Sequence, residues 1–433
     1  MTRIYAMLGF IPWGLPMLKS KSIHLLLSVI FLIFTTASRT AGANRYQENS
    51  RRDSAANENL GSESFKHIIL TLQEDPRYTQ AVTWRTDVRL NQAIAEIALS
   101  YPSPDFGKSA KKYQAKTSRL KTDKGLKYYH SVNFKNLLAD TVYAYRVGNG
   151  KVWSEWFQFR TASEKLKDFS FIYLGDAQHD VYSLWSRTIR AAVIEAPRAR
   201  FIIHAGDMVD RPNSDRQWDE WFRAGGWILA MIPNVPVAGN HEYSKQGLGR
   251  FTLSKYWKSQ FALPKLDHED LDKTVYNIDF QGVRVIVLNS NLAIKDQAKW
   301  MENVLSNNSN RWTIIAAHHP IYSSAKRRRN KPLNNYWKPV FEKYKVDLVL
   351  QGHDHVYARG RGPCPEGGNC RGPIYVTSVS GPGMYKLDGR NWMDRAAENM
   401  QLFQVISVSE NTLSYQSITV TGEVYDAFEI VKD

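Results

Sequence analysis

Cysteine is almost absent from this 433-residue chain, which holds only Cys364 and Cys370. That excludes a disulfide-stapled scaffold and a cysteine-built metal cluster. In an oxidising compartment the two are expected to pair across a short loop, contributing about 2 kcal/mol. The intervening Pro365, Glu366, Gly367, Gly368 and Asn369 offer too few ligands for a metal clip. Long apolar runs are scarce too: Leu25–Phe34 is ten residues, short of the roughly 20 that a spanning helix needs. Lys19 and Lys21 precede it and Ala41-Gly42-Ala43 follows, so residues 1–43 read as an export signal. A secreted or periplasmic location is expected, with no stable membrane span after cleavage; an uncleaved membrane anchor is the alternative. No internal repeat and no low-complexity tract occurs, which excludes a repeat array. Acidic residues are outnumbered, 42 against 57 basic, for a net charge of +15. Charge alone leaves nucleic acid, anionic surfaces and acidic substrates open. No nucleic-acid-binding motif accompanies it, so no specific nucleic-acid partner is expected. The one dense basic cluster is Lys326–Arg329.

What is present falls into segments. Residues 44–65 are polar and read as a linker. Over 66–162 short alternating runs (IILTL, AVTWRT, AIAEIA, YYHSVNF, VYAYRVG, WFQFRTA) predict an all-β sandwich, with Trp84, Tyr143, Tyr145 and Phe159 in its core. Over 166–433 apolar runs (FSFIYL, RFIIHA, VPVAG, VRVIVLN, WTIIAAH, VDLVLQ, PIYVTS) alternate with helical stretches at Val181–Ala199, Asp215–Ile232, Asp296–Leu305 and Leu333–Lys345. That pattern predicts an α/β domain of layered sheets flanked by helices, its last three strand-like runs closing one sheet.

Five segments carry chemistry: GDAQHD at Gly175, GDMVDR at Gly206, GNHEY at Gly239, HHPIY at His318 and GHDHVY at Gly352. Each places Asp, Asn or His at the end of an apolar run, where strands deliver side chains to one rim of a sheet. Hard oxygen donors mixed with imidazoles suit a pair of metal ions. Such a pair polarises a bound oxygen and acidifies a bound water. His204, inside a strand-like run, reads as a core histidine, and Tyr243, Tyr322 and Tyr357 as packing residues.

In these motifs and their order the chain resembles the calcineurin-like metallophosphoesterases, and within them the purple acid phosphatases. Residues 66–162 resemble the fibronectin-III-like domain that precedes the catalytic domain in that group. The resemblance implies that Asp176 and His355 bind a first metal, that Asp207 bridges, and that Asn240, His318 and His353 bind a second. His318 is preferred to His319 because the family pattern is His-x-Pro and Pro320 fits it; His319 is then a candidate for phosphate contact. His241 is implied at the leaving group, as proton donor or charge stabiliser. Two ions, with iron, manganese and zinc all open, would support attack by a metal-bound hydroxide on a small phosphate monoester. A phosphodiesterase or nucleotide hydrolase of the same superfamily is the alternative, and a nuclease a more distant one.

The chain departs from the family in three places. Asp210 stands where purple acid phosphatases carry a tyrosine that colours ferric iron, so a colourless enzyme is expected; Asp210 either adds a carboxylate to the first metal or pairs with Arg211 at a turn. Gln178 stands where many relatives have histidine or glycine, and His179 follows it; both are further candidates for the first metal. Arg327 and Arg328 stand where purple acid phosphatases have a histidine pair near the substrate, and their planar forks suit a second anionic group.

Overall fold

The computed structural model describes residues 65–433 apart from 247–249, 327, 362–371 and 390. The export signal, nearly all of the linker, Arg327 and the Cys364–Cys370 pairing lie outside the described residues.

Alternation builds the core. In strand Trp312–Ala317, Ile314 and Ala316 enter a cluster with Val285, Val287, Leu348 and Leu350, while Ile315 and Ala317 face the opposite way. Side chains of a strand alternate faces, so this strand, buried at every position, packs on both sides. The second face is covered by helices Ile294–Ser306, Lys331–Tyr336 and Lys338–Lys343, which contribute Met301, Leu333 and Phe341. The first face meets strands Phe169–Leu174, Ile202–His204 and Leu402–Val408 through Phe171, Tyr173, Ile203 and Ile406. Helices Ser186–Glu195 and Asp215–Gly225 bury Ile189, Trp218 and Trp221 in that same cluster. The expected α/β layering is present.

Helix boundaries follow local chemistry. The Val181–Ala199 stretch is a π turn over Val181–Trp185 and then an α-helix ending at Glu195. Pro197 disfavours helical backbone at the residue before it. The Asp215–Ile232 stretch is two helices, Asp215–Gly225 and Trp227–Met231, because Gly226 adopts φ 50° between them.

The sandwich is present, with Trp84, Tyr143, Tyr145 and Phe159 buried. Two of its strands, Lys111–Gln114 and Lys116–Thr122, are largely exposed and polar. They lack an apolar face, which is why hydrophobic alternation does not reveal them. The β-sandwich is joined to the rest by a shared sheet. Among the described residues this sheet runs Val424–Val431, Thr412–Thr419, Leu402–Val408, Phe169–Leu174, Ile202–His204, Asn234–Pro236, Lys66–Thr71, Gln80–Thr86, Gly125–Phe134, Lys116–Thr122. Lys66–Thr71 meets Asn234–Pro236 in parallel, with Thr71 opposite Asn234. The Asn234 amide donates to Leu70 O at 3.1 Å and accepts from His204 Nε2 at 2.9 Å. That gives buried His204 its role, a tie between two strands. A buried Arg85–Asp215 pair at 2.8 Å adds a second tie.

The second large sheet contains Val283–Leu288, Trp312–Ala317, Leu348–Gln351 and Ile374–Thr377 in parallel. Phe169–Leu174, Ile202–His204 and Asn234–Pro236 are likewise parallel in the first. The turns after these strands carry all five motifs.

Candidate metal centre

Six of the motif residues sit in backbone conformations that side chains rarely adopt: Asp176 (φ 35°), His179 (φ 68°), Asp180 (φ 43°), Asp207 (φ 50°), His353 (φ 72°) and His355 (φ 47°). Each costs about 1–3 kcal/mol and persists only where the surroundings hold it. The accompanying glycines explain how the turns close so tightly. A Cβ on Gly239 would collide with the Asp207 carboxylate, and one on Gly352 with that of Asp176.

The donors converge in two groups that share one member. Asp207, His318 and His353 offer ligand atoms within 4.8 Å of one another, as do Asp176, Asp207 and His355. His318 Nε2 stands 3.0 Å from Asp207 Oδ2, 3.1 Å from Asn240 Oδ1 and 3.2 Å from His353 Nδ1. His355 Nε2 is 3.5 Å from Asp176 Oδ1. Donors around one cation, each about 2.0–2.2 Å from it, stand roughly 3–3.5 Å apart. Both groups are therefore able to hold an ion.

Supporting bonds fix the orientation of these rings. Nδ1–H of His318 donates to Ala205 O at 2.9 Å, and Nδ1–H of His355 to Gly383 O at 3.0 Å. Each ring thus turns its Nε2 lone pair inward, the arrangement that tunes metal-binding histidines. The Asp176 carboxylate accepts His353 N–H at 2.8 Å. Asp207 Oδ1 accepts His241 N–H at 2.8 Å.

The site's electrostatics call for positive charge. Burial opposes protonation of His318, yet Asp207, bonded to it, and Asp176 raise it to about 9. Burial raises Asp176 well above the ordinary carboxylate range, with Asp207 pushing the same way. Burial also opposes ionisation of Asp207, but His318 holds it down to about 2. Two carboxylates this deep need cations to balance them.

Around this centre, His241 Nδ1–H donates to Asp210 O at 2.7 Å, which leaves Nε2 as the other ring nitrogen. His319 Nδ1 accepts from Ser290 Oγ at 2.7 Å, while Ser290 Oγ accepts His319 N–H at 2.9 Å. The neutral ring then carries its proton on Nε2, and burial, reinforced by His318, lowers it to about 3. Its ring centroid lies 4.1 Å from that of His353. Asp210 and His179 belong to neither donor group: Asp210 Oδ1 is 2.6 Å from His179 Nδ1, and its Oδ2 accepts from Gln217 at 3.4 Å. Gln217 in turn accepts Arg211 N–H at 2.7 Å. Gln178 reaches the centre, its Nε2 3.2 Å from His355 Nε2. Arg328 donates to His353 O at 2.7 Å and lies over the Tyr385 ring, which stacks on His355. Tyr243 and Tyr357 are buried packing residues.

Sequence reasoning gave Glu242 no role. It is fully buried, its Oε2 accepting Asp207 N–H at 2.8 Å and Gly239 N–H at 2.7 Å, and its Oε1 Met208 N–H at 2.9 Å. Its place in GNHE, beside Asn240 and His241, is the signal that could have drawn attention to it.

Comparison with known proteins fits this geometry. Residues 169–357 match the family described as calcineurin-like phosphoesterase, and residues 65–161 the purple acid phosphatase N-terminal domain. The chain is 28% identical over 280 residues to the Fe(3+)-Zn(2+) purple acid phosphatase 12 of Arabidopsis thaliana, covering 59% of each chain. It is 28% identical over 267 residues to the acid phosphatase type 7 of Homo sapiens, covering 54% of this chain and 57% of that one. The matched stretch thus spans about three fifths of the length of these relatives. A purple acid phosphatase from yellow lupin seeds superposes with a TM-score of 0.74 at 19% identity, covering 86% of this chain and 75% of that one.

Proposed function

The chain belongs to the calcineurin-like phosphoesterases with a purple acid phosphatase N-terminal domain, and on that premise we propose that it hydrolyses phosphate monoesters at a pair of metal ions. One observation carries the reading: Asp207 is common to both donor groups, as a bridging ligand must be. Asp176, Asp207 and His355 would hold one ion, and Asp207, Asn240, His318 and His353 the other. Iron, zinc and manganese all suit this mixture of carboxylate, amide and imidazole. Such a pair supplies neutralisation of the phosphate charge and a water acidic enough to attack near neutral pH.

The chain's own residues do the rest. Asp210 O orients the His241 ring, so that its Nε2 can present a proton to the departing alcohol oxygen. Ser290 fixes the His319 tautomer, so that Nε2–H donates to a phosphate oxygen without bringing a second charge. Arg328, tied to His353 O, stands where it can pair with a second anionic group on a substrate. No serine, cysteine or histidine nucleophile is called for.

We place the protein outside the cytoplasm on the strength of its N-terminal sequence. Among the described residues no helix is long and apolar enough to cross a membrane. The test is elemental analysis of the purified protein with rates on p-nitrophenyl phosphate and bis-p-nitrophenyl phosphate. The reading expects two ions per chain, faster monoester turnover and loss of both ions and activity in Asp207→Ala. Full monoester turnover by Asp207→Ala would overturn it.

A further inference from the structure

Gln178 lies in the first motif and the function above leaves it without a task. It is 1% exposed, and its carbonyl oxygen Oε1 is buried with no hydrogen-bond partner. A buried amide oxygen left unpaired costs about 1–3 kcal/mol, so its retention beside a cluster of donors points to a missing partner. The other end of the amide faces the centre, with Nε2 3.2 Å from His355 Nε2. That imidazole nitrogen carries a lone pair, because Nδ1–H is spent on Gly383 O.

The donor count at this end of the centre is short. Asp176, Asp207 and His355 provide three ligand atoms, one of them on the shared carboxylate. Iron and manganese take up to six, so even with the attacking water in one position the shell has room for another protein donor. The carboxylate that could have added another, Asp210, is engaged with His179 and Gln217. A half-turn of the Gln178 amide places its oxygen 3.2 Å from His355 Nε2, where the nitrogen now stands. That is the spacing of two ligands on one ion.

We propose that Gln178 is a ligand of the first metal through its amide oxygen, adding a neutral donor to Asp176, Asp207 and His355. The proposal rests on the binuclear reading above and deepens it by naming a member of the shell. The backbone holds the residue in place: Gln178 N–H donates to Asp207 O at 3.0 Å, and a Cβ on Gly381 would strike Gln178 O and Asp176 O.

The experiment strips the full-length protein with chelator and titrates it calorimetrically with Zn²⁺ and with Mn²⁺, with elemental analysis after dialysis. Wild type should take two ions per chain. Gln178→Leu, close in size but without a donor, should keep the second site and bind the first ion at least tenfold more weakly. Gln178→Glu, which restores an oxygen and adds charge, should bind it at least tenfold more tightly. Two ions at unchanged affinity in Gln178→Leu would overturn the proposal. If that variant does not fold, affinity in Gln178→Glu no higher than in wild type overturns it instead. The two readings fail separately. A wild type that binds two ions but hydrolyses no phosphate ester refutes the enzyme and leaves Gln178 standing. An active wild type whose Gln178→Leu variant holds two ions unchanged refutes Gln178 alone.

Discussion

Replacing Glu242 by glutamine tests how the bridging aspartate is kept in place. The carboxylate accepts three backbone N–H bonds of 2.7–2.9 Å, from Gly239, Asp207 and Met208. It thereby fastens the turn that carries Asp207 to the turn that carries Asn240 and His241. Glutamine keeps one acceptor oxygen and sets an NH2 group against the remaining donor. In the best case the oxygen shared by Asp207 and Gly239 survives, and Met208 N–H is left buried and unpaired. Hydrogen bonds to charged groups are worth about 1.5–3 kcal/mol and an orphaned buried donor costs about 1–3 kcal/mol. The sum is roughly 3–5 kcal/mol, which for a chain of this size lowers Tm by about 4–6 °C. Loss of a group that positions a ligand typically weakens metal binding about 10–100-fold. Differential scanning fluorimetry with and without Zn²⁺, alongside calorimetric titration, measures both. A Glu242→Gln protein with wild-type Tm and wild-type metal affinity would refute the claim that this carboxylate holds the two turns together.

Other outcomes follow from the same geometry. Gly352→Ala drives a methyl into the Asp176 carboxylate, so the protein should fold yet lose most of its first-site metal by elemental analysis; normal metal content would sink that reading. His241→Ala should lower kcat about 10²–10⁴-fold, with a smaller loss on esters of acidic phenols than on alkyl phosphates; equal losses across leaving groups would remove His241 from the proton transfer. Reconstitution with ferric iron should leave the protein colourless, since Asp210 is engaged by His179 and Gln217 and no tyrosine takes its place; a strong visible band in the absorption spectrum would contradict this. Acid should destabilise the sandwich through His130, which burial lowers to about 4 and which lies between Thr86 and Thr117 hydroxyls. Its folded pKa is below the unfolded one, so the unfolded chain binds the proton first, and the stabilisation is intact above about pH 6.5 and lost as pH falls through 4. His130→Gln should flatten the fall of Tm across that window, and an unchanged pH profile would refute it.

How much of this could be read from sequence depended on whether a feature is local. Runs such as Trp312–Ala317 and Val283–Leu288 announce themselves because burial on both faces leaves only one polar position in each, Thr313 and Arg284. The motif residues stand out because a strand end and a tight turn are encoded within a few neighbouring positions. Lys116–Thr122 did not, since an exposed edge strand needs no apolar face. Nor could any pattern reveal that Ser290 sets the tautomer of His319 or that Gly383 O aims His355, because those partners lie 29 and 28 positions away. The unpaired oxygen of Gln178 is of the same kind: it has meaning only once its surroundings are known.

The sheet that runs through both halves bears on what can be cut away. Asn234–Pro236 lies between Ile202–His204 and Lys66–Thr71, and the turn beyond it carries Asn240 and His241. Excising the amino-terminal half would turn this strand into an unguarded border, with bare amides open to a neighbouring molecule. A shortened version would then be expected to clump, and the turn that carries Asn240 and His241 to fray from the severed side. On this topology the sandwich acts as a splint for the donor-bearing turn, so attempts to miniaturise the protein should begin elsewhere.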